Sequence, residues 1–270
     1  KLNASFVRNL LYPLIEESKY RPIALQALAQ LLLQRPSLRA MLTDFVMTLA
    51  ESEETDLRKD TIEILLIKQG LYPNLRSLSA QLEAYSLDLM DDLAAKESKE
   101  VSGETEMKRL KLESSENVGE VAEIKENAFE DLSEFEANTE LFLGLLKRNP
   151  EKLLPPLLVR FPRFNVKLQA FLLDLSLPQV INSWTLKEMR GLLNVLRSES
   201  KVNEGGVVGE LVIQIVKLVL ASGTVVTDAD MVDFYSELSE LVQGKVTGGV
   251  WDGRLVPDLL PWILRDRSDL

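Results

Sequence analysis

The chain has 270 residues, 46% of them apolar, with no histidine, no cysteine and a net charge of −11. Without cysteine there are no disulfides, thiolate metal ligands or thiol nucleophiles, and without histidine there is no Ser-His triad, imidazole ligand or commonest general base. The acidity argues against a nucleic-acid surface, and no run of about 18 uncharged apolar residues offers a membrane span.

The opening stretch, KLNASFVRNLLYPLIEE, picks up charge early and lacks a signal-peptide layout. Phe6, Leu10, Leu11, Leu14 and Ile15 recur at helical spacing and predict one apolar stripe. Arg21-Pro22 breaks that pattern, and Ile23, Leu25, Leu28, Leu31 and Leu32 carry the next helix. At Arg35-Pro36-Ser37 the residue before proline is pushed out of the α region, which ends a helix near Gln34. The Ser37 hydroxyl is then placed to cap the following helix, whose apolar residues are Leu38, Met41, Leu42, Phe45, Val46 and Leu49. The polar run Glu51–Asp56 reads as a turn. Leu57, Ile62, Ile64, Leu65 and Ile67 predict another helix, closed by Gly70 at its C-terminal cap. Pro73 and Asn74 precede a helix from Leu75 to about Leu93, with Leu78, Leu82, Tyr85 and Leu89 on one face.

Composition then changes. Residues Asp91 to Glu136 hold 15 acidic and 6 basic side chains, net −9, which leaves only −2 for the rest of the chain. Rich in Glu, Lys and Ser and nearly free of aromatics, residues 94–134 predict an acidic, disordered linker or loop, because such a segment buries too little apolar area to offset its ordering entropy.

A second helical block begins near Phe135. Leu141, Phe142, Leu145 and Leu146 form a helix stopped at Asn149-Pro150. Pro155, Pro156 and Pro162 predict tight corners. Val166 to Leu175 reads as a helix. Thr185, with Glu188 three residues on, has capping-box spacing at the start of Leu186 to Leu196. Leu211 to Leu220 is apolar nearly all round and predicts a central buried helix. Thr227 or Asp228 caps Met231 to Leu241, and Pro257 opens a last helix through Trp262 and Leu264. The best strand candidate, Gly223–Asp228, is too short to build a sheet.

These patterns predict an all-α fold of stacked antiparallel helix pairs, a HEAT-like or irregular helical solenoid. Residues 1–93 form the first block and residues 135–270 a second that packs on it as one domain. Few motifs suggest chemistry. The stretch Asn203–Glu210 lacks the G-x-G-x-x-G spacing and a preceding strand, so it reads as the loop before a helix. Lys108–Leu112 (KRLKL) fits a nuclear-import signal. The close carboxylates of EESKY, ESEETD and FEDLSEFE read as solvated helix ends and turns. Trp251 and Trp262 flank Arg254 near the C-terminus. They suit either the ordinary end-cap of the final helices or an anchor for a protein partner, since Trp and Arg concentrate binding energy.

One family fits the order of these elements. Residues Ala27 to Met90 combine a helix ending in Arg35-Pro36-Ser37, a leucine-rich helix, and a charged corner with Asp56 and Arg58. Ile67-Lys68 then precedes a turn with Tyr72, followed by Leu75-Arg76. Together with TELFLGLLKRNPEKLLPPLLVRF, DADMVDFYSELSELVQGK and RLVPDLLPWIL, this resembles the C-terminal domain of the symplekin family over residues 20 to 265. The resemblance implies a non-catalytic scaffold subunit of the nuclear pre-mRNA 3′-end cleavage and polyadenylation machinery, without cofactor or metal. Its implied partners are the C-terminal domains of the cleavage endonuclease and of that enzyme's inactive paralogue. A HEAT-like adaptor of another nuclear or transport complex is the alternative, and an enzyme would have to work with carboxylates, lysine or tyrosine.

Overall fold

The computed structural model describes residues 4–111, 135–198, 206–222 and 229–247. Of these residues 89% are helical and none lies in a strand, as the unbroken helical periodicity requires. The chain divides into two compact units that alternate along the sequence. The first comprises Lys1–Met90 and Glu126–Arg148, the second Asp91–Lys125 and Asn149–Leu270. The segment 135–146, expected to open the second block, therefore belongs with the first unit.

The first unit contains α1 (Ala4–Glu16), α2 (Arg21–Gln34), α3 (Arg39–Ala50) and α4 (Thr55–Asp60). The last of these continues as a wider π-helical stretch, Thr61–Lys68. Helix α1 packs on α2 and α3, and α4 with its extension packs on α2 and α3. The buried residues of α1 are Val7, Leu11 and Ile15, whereas Phe6, Leu10 and Leu14 are 60%, 57% and 39% exposed. The predicted single stripe thus splits into a buried line and an outward one. One turn of helix offers more apolar positions than a single neighbour covers, and periodicity cannot say which are covered. In α2 the same ambiguity appears, because Ile23 is exposed while Ala24, Ala29 and Arg21 are buried.

The corner after α2 also differs from expectation. Pro36–Leu38 forms a 3-10 turn, and α3 starts at Arg39 with Leu38 before it and no side-chain cap. Ser37 therefore does not cap α3. Gly70 does close its helix in the left-handed conformation, at φ 69°, where glycine carries no Cβ penalty. After it, α5 (Arg76–Lys111) runs well beyond the predicted end at Leu93 and into the segment expected to be disordered. Residues 112–134 lie outside the described residues. The buried positions of α5 in the first unit include Leu78, Leu82 and Met90, together with Ser79, Glu83 and Ser86, and Leu93 is buried beyond the division of the units after Met90. Tyr85 and Leu89, expected on the apolar face, are half-buried. Helix α6 (135–146) completes the unit, with Leu141, Phe142, Leu145 and Leu146 buried. At Gly144 an added Cβ would stand 2.5 Å from Ile62 Cγ2, so α6 approaches the α4 extension more closely than any larger residue allows.

The second unit contains α7 (Pro150–Arg160), α8 (Val166–Ala170, Phe171–Ser176 and Leu177–Asn182 in one run), α9 (Leu186–Ser198), α10 (Gly206–Ser222) and α11 (Ala229–Thr247). Helix α7 packs on α9, α9 on α11, and α10 on α7 and the end of α8. Pro155 and Pro156 do not form a corner but sit inside α7. Each lacks an N–H, which removes two bonds from the helix ladder without ending it. Pro162 does lie in a tight turn, Phe161–Arg163. In α8 the middle stretch is π-helical and leads into Pro178. Half of the predicted capping box at α9 forms, with Thr185 N donating to Glu188 Oε2 at 3.0 Å; the Thr185 hydroxyl donates to the same oxygen. Helix α10 is buried at Leu211, Val212, Ile213, Ile215, Val216 and Val219, as its continuous apolar run predicts. The predicted strand candidate, the caps Thr227 and Asp228, and the last helix from Pro257 lie outside the described residues.

Candidate functional site: arginine-held corners

The most elaborate polar geometry lies in the first unit, where consecutive helices meet. At three of these corners an arginine donates to main-chain carbonyls just before it. Arg21, the first residue of α2, donates from Nε to the Ile15 carbonyl (2.8 Å) and from Nη2 to the Glu16 carbonyl (3.2 Å). Arg39, the first residue of α3, donates from Nε to Leu32 O (2.7 Å) and from Nη2 to Leu33 O (2.8 Å). Arg58 in α4 donates from Nη1 to Ser52 O (2.8 Å). A helix C-terminus leaves its last carbonyls without intrahelical donors. At the first two corners an arginine at the start of the next helix reaches back five to seven residues to supply them, and at the third Arg58 reaches back six residues to Ser52 O in the loop beyond α3. The planar, always charged guanidinium suits this task, since it offers several donors in a fixed fork.

The clasps differ in what else they hold. Arg21 is only 2% exposed, yet it reaches the carboxylates of Glu54 (2.6 Å) and Asp60 (3.3 Å), which are 53% and 40% exposed. Its cation is thus buried while its anions stay hydrated, and it ties the end of α1 to the start and end of α4. Arg58 pairs through Nε with Glu140 Oε2 of α6 at 2.9 Å, with both side chains mostly buried. Burial raises the Glu140 pKa above its ordinary value, against the opposing influence of the Arg58 bond and charge. Nearby Tyr85 is raised as well, chiefly by burial and secondarily by Glu51. Most other buried hydroxyls of this unit bond within their own helices, as Thr43 does to Arg39 O, Thr61 to Leu57 O, Ser86 to Glu83 O and Thr139 to Phe135 O, whereas the Tyr72 hydroxyl donates to Glu83 Oε1 at 3.0 Å and the buried Ser79 hydroxyl has no partner among the described residues.

Arg21, Arg39 and Arg58 follow one another at intervals of 18 and 19 residues, and Arg76, which begins α5, follows after another 18. Sequence reasoning treated Arg21 and Arg35 as parts of proline breaks and missed the clasps. The signal that could have found them is this spacing of an arginine near the starts of α2, α3, α4 and α5.

The second unit offers less polar structure. Arg160 of α7 grips Asp91 with two parallel bonds, Nε to Oδ1 at 2.9 Å and Nη2 to Oδ2 at 2.8 Å. Arg197 of α9 bonds Glu237 of α11. An apolar gap of about 10 Å³ among Leu154, Leu158, Leu192, Val195, Leu196, Val212 and Ile215 has room for little more than a water molecule. Trp184 is 6% exposed and packs in the core. Among the described residues no cluster of acidic side chains is arranged to hold a metal ion, and no helix is long and apolar enough to cross a membrane. The predicted partner-binding residues Trp251, Arg254 and Trp262 lie outside the described residues. Compared with known proteins, the chain matches no family, no curated protein and no solved structure.

Proposed function

We propose that this chain is a non-catalytic helical scaffold whose product is a shaped protein surface, built as a HEAT-like stack of helices. The observation that carries the reading is the recurrence of the arginine clasp. The same corner chemistry at 18- and 19-residue intervals is what a stack of similar helical units needs, each contacting chiefly its neighbours. The order of sequence elements that resembles the symplekin C-terminal domain supports a more specific role. In that role the chain holds the C-terminal domains of the nuclear cleavage endonuclease and its inactive paralogue during pre-mRNA 3′-end processing.

The test is co-purification of the full chain from nuclear extract, followed by reconstitution with the two purified C-terminal domains. Stable recovery of both domains with the chain is the expected result. Failure to bind either domain, with a different complex recovered, would replace this role with that of an adaptor in another nuclear or transport assembly. Separate Ala substitutions of Trp251 and Arg254 then locate the contact. If they form it, binding weakens at least tenfold, about 1.4 kcal/mol, with melting unchanged.

A further inference from the structure

We draw no further inference here: the strongest candidate, the outward apolar strip of Phe6, Leu10 and Leu14 along α1 in the first unit, is an unpartnered helix face, and nothing in the structure shows what covers it.

Discussion

The two units solve the same problem, joining helices at tight corners, with different materials. Among the described residues the buried polar side chains fall mostly in the first unit: Arg21, Thr43, Thr61, Ser79, Glu83, Ser86 and Thr139, against Ser176 and Glu188 in the second. The first unit closes its corners with guanidinium groups on main-chain carbonyls. The second has prolines at Pro150 and Pro162, a cap at Asn165, and one helix, α10, that is apolar over most of its surface. The difference teaches where each unit is vulnerable. A clasp concentrates the satisfaction of several backbone groups in one side chain, so its loss leaves polar atoms without donors. A proline or an apolar contact spreads its contribution, and removing one costs only its own share.

The largest effect of this contrast is expected at Arg21. Replacement by Ala removes the donors of two carbonyls and the buried stem of the side chain. Glu54 and Asp60 can hydrate, so the cost comes mainly from the carbonyls, about 2–4 kcal/mol. Arg21→Met, which keeps the stem but not the donors, should recover only a minor part. Urea unfolding of the two variants measures both numbers, and near-wild-type stability for Arg21→Met would show that the clasp acts by packing alone.

Gly144 tests a second kind of concentration in the same unit. Gly144→Ala should destabilise by about 1–3 kcal/mol through overpacking against Ile62. Ile62→Ala vacates the space that the new methyl group needs, so the double variant should be less destabilised than the sum of the single ones. Strict additivity in the double-mutant cycle would mean that α6 moves away from α4 instead.

Smaller effects are expected in the second unit. Asn165 Oδ1 accepts from Leu168 N at 2.7 Å at the start of α8, so Asn165→Ala should cost about 1 kcal/mol, the usual loss for an N-cap, and Asn165→Asp should restore most of it in thermal melts. Arg160→Ala breaks a well-aligned fork, but its partner Asp91 is 44% exposed. We therefore expect no more than about 1 kcal/mol, falling further as salt is added. A loss at Arg160 as large as that at Arg21 would erase the distinction between the units.

The subtlest effect concerns pH. Burial raises the Glu140 pKa in the folded chain above its ordinary 4.5, so folding favours the protonated carboxyl. The stability this residue gains from protonation is fully present below 4.5 and is lost as pH rises through the folded value. Unfolding measured across that window should show the wild type gaining on Glu140→Gln as the solution is acidified. The opposite slope would mean that the Arg58 pair outweighs burial.

Much of the architecture was legible in the sequence because it depends on local chemistry. Helical periodicity fixed the all-α character, Gly70 its left-handed cap, and the three-residue spacing of Thr185 and Glu188 the bond from the Thr185 N–H to the Glu188 carboxylate, each within a few residues of chain. The continuous apolar run of α10 announced its burial, since such a helix has no polar face to turn to water. The unclear parts were those in which distant residues compete. Which line of α1 is covered depends on where α2 and α3 lie. Helix α5 continues past Leu93 although its composition favours disorder, and α6 joins the unit that the chain has already left. Ser37 carries the right side chain for a cap, yet the chain turns through a 3-10 corner, and the corner's side-chain bonds run from Arg39 to the last carbonyls of α2. An arginine beside a proline looks like a surface charge until folding brings helix ends within its reach. Only the tertiary structure decided that Arg21 would be buried, because a guanidinium leaves water only when several acceptors are already fixed around it.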